Sequence, residues 1–347
     1  MRRNGPERAI DHGRNQTMTI MQTRTRAAIA ALALGLGLGG AGAAQAIDLG
    51  FALHTSPPGP EFEAVNKFVE LVKERSKGQI NVKIFHSAVL GGERDNLEQL
   101  TVNQVQMTLF GDTLPNVVAP EYAATVVPFV FPGPEEVFEF WAGPAGTEGK
   151  KVIKSKAKLD VVAFFRRGDR HLSAKKAIRT PDDLKGLKLR VPEIPSWVRV
   201  WSELGARPTP VAWPEVFSGL QMGVVEAQEN PCFNVNQAKL YEVQSHIMYT
   251  AHVPAVWHWT ISSVFLDSLK PEIREAVISS AVDAAKHGDA VTKTQIDAVC
   301  DALVTKSKMT AVKVDRAPFI AKARPAIDEL SKKWAPIVVE AASKYLK

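Results

Sequence analysis

Cysteine is almost missing from this chain, with only Cys232 and Cys300 in 347 residues. Two cysteines cannot form the disulfide framework of a small secreted scaffold, so the fold must rest on an apolar core. The pair itself is open to two readings, a disulfide or two buried thiols. A surplus of one charge is also missing. Lys and Arg number 43 against 37 Asp and Glu, a formal +6. The first 46 residues hold six arginines and two acids, so +4 of that charge belongs to them and only +2 to the rest. Such a weak basic excess excludes a nucleic-acid-binding surface. Beyond residue 46 no run of 18 apolar residues occurs, which excludes direct membrane insertion by a helix there. Hydrolase signatures are absent too: the chain contains no G-x-S-x-G and no H-E-x-x-H. His246, His252 and His258 recur six apart, which places them on no common helix face and suits no standard metal spacing. No repeat of 20–50 residues is visible.

The amino-terminal segment has the parts of an export signal. Arg24 and Arg26 precede an apolar stretch at 27–38, and small residues lead to Ala44-Gln45-Ala46. A basic head, a short apolar run and an A-x-A site define a secretory signal peptide. The run is shorter than the roughly 20 residues a bilayer span needs. A mature chain beginning near Ile47 and located in the periplasm is expected, with Met18 or Met21 as alternative starts. Residues 35–40 fit G-x-G-x-x-G, but a dinucleotide site needs a strand before that string and a helix after it. Within a signal segment the match carries no cofactor.

At about 150 residues per domain, the length suggests two domains. A short apolar strand is expected at 49–53. Phe62, Val65, Phe68, Val69 and Val72 recur at helical spacing up to Gly78, and Ile80, Val82 and Ile84 alternate as a strand with one wet face. A helix over 92–102 and a strand over 105–110 complete βαβαβ, the pattern of a parallel sheet covered by helices. The pattern resumes with strands at 159–165, 187–191 and 209–211. Thr180-Pro181-Asp182-Asp183 reads as a helical start, with a threonine cap, proline at the first turn and acids at the positive end. A helix is expected over 214–222. Residues 271–308 contain no proline after Pro271 and one glycine, Gly288. Their apolar stripe of Ile273, Val277, Ile278, Ala281, Ala284 and Ala285 predicts one long helix able to brace both units. Residues 318–347 are again helical in pattern.

The most specific strings lie between residues 170 and 233. They read Asp183-Leu184-Lys185-Gly186-Leu187-Lys188-Leu189-Arg190-Val191-Pro192, then Leu204-Gly205-Ala206-Arg207-Pro208-Thr209-Pro210. Trp213-Pro214-Glu215-Val216-Phe217 follows, and then Leu220-Gln221-Met222-Gly223-Val224-Val225-Glu226-Ala227-Gln228-Glu229-Asn230-Pro231. In this order they resemble the solute-binding proteins of tripartite ATP-independent periplasmic (TRAP) transporters, the DctP-like family. The resemblance extends outward to Leu90-Gly91-Gly92-Glu93-Arg94. Gly219 departs from the family's usual alanine, and Glu226-Ala227 from its Asp-Gly.

That resemblance implies a two-lobed α/β fold of the Venus-flytrap type that closes on its ligand, with a long helix shared by both lobes. The expected boundaries are residues 47–168 with about 256–295 for lobe I, and 169–255 with about 296–347 for lobe II. It also implies that Arg190 pairs with a ligand carboxylate. A guanidinium suits this because it offers two parallel donors and stays charged when desolvated. Arg170 takes the place of a second ligand-facing arginine, within the string Arg166-Arg167-Gly168-Asp169-Arg170. Further ligand contacts are implied for His54, Glu93, Asp112, Trp213 and Asn230, and Glu193 either reads a hydroxyl or balances the arginines. Several of these stand at strand carboxyl ends, where open α/β sheets bind ligands. The expected function is capture of a small organic acid for the small and large membrane subunits of an ion-gradient-driven permease, without cofactor or metal. A hydroxylated monocarboxylate such as an aldonic or uronic sugar acid suits the acidic polar groups. A C4-dicarboxylate clamped at its far end by Arg170 is the alternative ligand, and an exported enzyme or a receptor-linked sensor are the alternative classes.

Overall fold

The computed structural model of the chain describes residues 46–346. The basic head, the apolar run and the glycine string at 35–40 lie outside the described residues.

The described strands, in chain order, are β1 (Ile47–Ala52), β2 (Ile80–Phe85), β3 (Met107–Phe110), β4 (Leu159–Asp169), β5 (His171–Ala174), β6 (Lys188–Val191), β7 (Arg207–Pro210), β8 (Ala227–Asn230), β9 (His246–Tyr249), β10 (Pro254–Ser262) and β11 (Thr310–Lys313). They form two sheets, ordered β2-β1-β3-β10-β4 and β11-β9-β5-β8-β6-β7. β1 pairs in parallel with both β2 and β3, as the βαβαβ pattern requires, and β10 closes that sheet antiparallel to β3 and β4. In the second sheet β6 runs parallel to β7 and β8, while β5 is antiparallel to β8 and β9. The chain crosses from the first sheet to the second at a single residue, Arg170, returns between β9 and β10, and crosses again through the helix Pro271–Thr305 to reach β11. The first two crossings lie side by side, because the Arg170 amide donates to Val253 O at 2.9 Å and the His252 amide to Arg170 O at 3.2 Å.

Local sequence explains where the helices begin. The helices Pro60–Arg75, Pro134–Ala142, Pro144–Ala157, Pro195–Glu203, Pro271–Thr305 and Pro336–Ala342 each open on proline. At that position the missing N–H has no intrahelical partner to lose, and the fixed φ favours the first turn. Thr180 and Asp183 form the expected capping box, but over a 3-10 turn at Pro181–Leu184. The helix expected over 214–222 is split into a 3-10 turn, Trp213–Glu215, and the helix Val216–Gln221. β7 carries two prolines and is accordingly an edge strand. The carboxyl-terminal helical pattern divides into Ala317–Ser331, packed on Pro195–Glu203, and Pro336–Ala342, packed on Pro144–Ala157.

The helix Pro271–Thr305 buries Ile273, Val277, Ala281, Ala284, Ala285 and Leu303. It lies against the helix Pro60–Arg75 and β4 of the first sheet and against the helix Cys232–Gln237 that follows β8 of the second. Gly288 permits this closeness, since a Cβ there would stand 2.7 Å from Ala64 Cβ and 3.0 Å from the Phe165 ring. Phe51, Phe68 and Trp259 pack together in the same core, Phe51 edge-on to the other two, with centroids 5.5–6.1 Å apart.

Cys232 and Cys300 form a disulfide with Cα atoms 5.2 Å apart, so the reading of two thiols is set aside. The bond ties the helix Cys232–Gln237 to the far end of the long helix, across 68 residues of sequence. Loop-closure entropy for that length sets a ceiling of about 4 kcal/mol. Replacing both cysteines by serine is expected to lower the unfolding free energy by about 2–4 kcal/mol in urea titrations, with the folded circular-dichroism spectrum retained. A change below about 0.5 kcal/mol would show that the crosslink constrains nothing the core does not already hold.

Candidate functional site

Between the two sheets lies a cavity of about 340 Å³. All eight residues singled out from the sequence line it: His54, Glu93, Asp112, Arg170, Arg190, Glu193, Trp213 and Asn230. Topology explains the convergence. His54 follows β1, Asp112 follows β3, Arg190 stands next to last in β6 and Asn230 ends β8. These four strands are among the parallel members of the two sheets, and residues at their carboxyl ends line the same space.

The first lobe supplies a buried polar floor. Glu93 opens the helix Glu93–Thr101, and its carboxylate accepts the Gly111 amide at 2.9 Å and the Thr113 amide at 3.3 Å. His54 Nε2 lies 3.4 Å from Glu93 Oε1. Burial pushes the His54 imidazole down to about 4, so it is neutral at neutral pH. Burial works to raise Glu93, but His54, Arg167 and the two amides more than offset it, and its net shift is downward. Gly111 is required between these groups, because a Cβ would collide with the Arg167 guanidinium.

The two arginines named from the sequence have different surroundings. Arg170 is fully engaged: Nε and Nη2 form a fork on Glu229 at 2.6 and 2.8 Å, Nη2 also reaches Glu229 O at 2.8 Å, and Nη1 meets Asp112 Oδ2 at 3.0 Å. Its face stacks on Trp197, 4.8 Å from the ring centroid. Four of its five N–H donors are thus spent inside the protein. Behind Glu229 the chain of contacts continues to His252 Nε2 at 2.9 Å and from His252 Nδ1 to Thr250 Oγ1 at 2.8 Å. Arg190 is equally buried at 3% exposure, yet it makes one hydrogen bond, from Nε to Val211 O at 2.9 Å. Among the described residues no carboxylate oxygen lies within 4.0 Å of it, whereas Arg167 and Arg170 both have acids in that range. Burial lowers Arg190 to about 10, which leaves it a cation at neutral pH. Trp213 is half-buried beside it, with its ring centroid 5.9 Å from the guanidinium carbon.

Arg167 is the cavity cation that sequence reasoning named only as one of a string. It sits 5% exposed, flat over Trp257 at 4.1 Å, with Nη1 3.9 Å from both Glu93 and Asp112. Arg166, its neighbour in β4, pairs with Glu135 and Asp289 and does not line the cavity. Glu193 lies at the mouth, where Arg94 from the facing lobe donates to its carbonyl at 2.9 Å and stands 3.8 Å from its carboxylate. Arg94 and Glu229 both stood within the quoted strings, but nothing in their local pattern marks one as a gate and the other as a buried counterion.

The chain matches the family described as bacterial extracellular solute-binding protein, family 7, over residues 51–333. It belongs to that family. A curated solute-binding protein of Roseobacter denitrificans is 36% identical over 276 residues, 79% of this chain and 84% of that one. A solved TRAP periplasmic solute-binding protein from R. denitrificans OCh 114 with bound L-galactonate shares 33% identity at a TM-score of 0.80, covering 86% of this chain and 99% of that chain. The 2,3-diketo-L-gulonate-binding periplasmic protein YiaO of Escherichia coli K12 is 28% identical over 275 residues, 79% of this chain and 84% of its own.

For a TRAP solute-binding protein this contrast between two arginines has a direct energetic meaning. Removing Arg170 strands two buried carboxylates, whereas removing Arg190 relieves the structure of an uncompensated cation. Arg170→Ala is therefore expected to destabilise the unliganded protein by about 3–5 kcal/mol, and Arg190→Met by less than about 1 kcal/mol. Chemical denaturation of ligand-free protein checks this, and equal losses would show that Arg190 is held by partners within the fold.

Proposed function

We propose that this protein captures a small hydroxylated monocarboxylate in the periplasm and delivers it to a TRAP permease of small and large membrane subunits. One observation carries the reading: Arg190 is a buried cation in an open cavity with no anion beside it. A desolvated guanidinium with its paired donors free is complementary to a carboxylate, and the ligand supplies the missing ion-pair partner. The sugar-acid chemistry is supported by the relatives, one of which holds L-galactonate while another is named for 2,3-diketo-L-gulonate. It is supported independently by the acceptor-rich wall of Glu93, Asp112, Glu193 and Asn230, which suits hydroxyl donors. The engagement of Arg170 with Glu229 and Asp112 weighs against a C4-dicarboxylate, since the far clamp is already occupied.

In this reading residues 47–168 with 256–295 and residues 169–255 with 296–347 form the closing lobes, and the final helix returns to the first. Ligand contacts made from both favour the closed form. Export with cleavage near Ala46 belongs to the same proposal.

A thermal-shift screen of residues 47–347 against L-galactonate, D-glucuronate, D-galacturonate, succinate and malate tests it, after unfolding and refolding to release any retained ligand. A sugar acid at 100 times its Kd is expected to stabilise the protein by about 2.7 kcal/mol, and Arg190→Ala is expected to abolish the shift. Tight succinate binding without any sugar-acid response, or a response that survives Arg190→Ala, would overturn the assignment.

A further inference from the structure

Arg190 has no acid at contact distance, yet the buried charges of the site taken together leave no cationic excess before any ligand enters. Three cations, Arg167, Arg170 and Arg190, stand among four acids, Glu93, Asp112, Glu229 and, on the far side of Arg167, Glu61, and all seven are strongly desolvated. A ligand carboxylate seated on Arg190 adds a further anion to this set. Arg94 and Glu193 at the mouth offset one another, and the remaining charged lining residues, Asp95, Glu98 and Glu215, are exposed acids. No spare cation is available to absorb the added charge, and a buried imbalance of one unit is costly.

Resting on the reading of an anionic ligand at Arg190, we propose that this protein takes up its ligand together with one proton, which is received by Asp112 Oδ1. The geometry singles out this atom. Asp112 Oδ2 accepts from Arg170 Nη1 at 3.0 Å, while Oδ1 is buried and has no hydrogen-bond partner. Protonation there would relieve a buried carboxylate oxygen whose negative charge has no hydrogen-bond donor beside it. Glu93 and Glu229 are held ionised: Glu93 accepts two backbone amides, and Glu229 sits in the fork of Arg170 with His252 behind it. Burial raises Glu61, but it does not line the cavity and its carboxylate already accepts from Gln237 at 2.9 Å.

The groups facing Asp112 come from every element packed on it. β4 and the crossing after it bring Arg167 and Arg170, the helix Glu93–Thr101 brings Glu93, and β8 brings Glu229. The two arginines favour its charged form and the two acids oppose it, yet burial dominates and raises Asp112 to about 6. Neutral His54, beside Glu93, is the competing receptor; burial has lowered it to about 4. An arriving anion raises Asp112 further. Below about pH 6 the carboxyl is already protonated and binding takes up nothing; above its liganded value it stays ionised in both states. Between those limits the proton comes from solvent on binding. Affinity then rises as pH falls, by up to tenfold per unit, because the liganded state binds the extra proton.

Isothermal titration of L-galactonate or D-glucuronate into the mature chain in buffers of contrasting ionisation enthalpy, at pH 5 to 8, separates the proposal from the reading beneath it. Binding heat alone reports the ligand, and its dependence on buffer reports the proton. The expected result is uptake approaching one proton near pH 7, fading toward pH 5, with Kd tightening about fivefold to tenfold from pH 8 to 7. Asp112→Asn is expected to bind more weakly, and the heat of the binding that remains should not depend on the buffer. Heat of binding with no uptake at pH 7 would overturn the proton step and leave the ligand assignment intact. Uptake that keeps growing below pH 5 would assign the proton to His54, and uptake undiminished in Asp112→Asn would equally overturn the proposal. The pH course in the wild-type protein decides the matter even if the variant does not fold. Absence of heat with either sugar acid would overturn both readings.

Discussion

The buried salt link from Arg170 to Glu229 and Asp112 is the interaction on which the arrangement of the site depends. Arg170 is the one residue between β4 and β5, so its backbone is the junction of the two sheets. Its side chain reaches one acid that belongs to β8 in the second sheet and another that follows β3 in the first. A single guanidinium therefore fixes the strand ends of both lobes around the cavity. Arginine alone can do this, since the link uses a bidentate fork and a third direction simultaneously. The internal pairing also separates the two cations: Arg170 is satisfied by the protein, whereas Arg190 has no ion-pair partner among the described residues.

Much of the fold was legible because each element is encoded locally. The helix Pro60–Arg75 and the strand Ile80–Phe85 follow from the periodicity of Phe62 to Val72 and of Ile80 to Ile84, and the long helix from its uninterrupted stripe. The long helix stops at Thr305, with Lys308 adopting a left-handed conformation three residues on, and no glycine signals that end. β4 runs to Asp169, four residues past its apolar stretch, because its polar end is buried between the lobes and needs no apolar side chains to be held.

The site was legible in a different way. Resemblance to a known family placed eight residues, and the carboxyl ends of four parallel strands, with the loops and helix starts around them, bring all eight to one cavity. What those strings could not convey was which charges cancel. Arg170 and Arg190 look alike as letters, and only the placement of Glu229 distinguishes a structural cation from an available one. The same applies to Arg167, whose role depends on Gly111 giving it room and Trp257 giving it a face to lie on.

The disulfide carries a mechanical corollary. Cys232 stands two residues beyond Asn230, so the covalent link clamps the carboxyl end of β8 to the long helix. That wall of the cavity and the helix must travel as one piece, and sliding between them is forbidden. Because the same helix leads from β10 of the first sheet to β11 of the second, any change in the angle between the sheets must be shared between its length and the paired crossings around Arg170 and Val253.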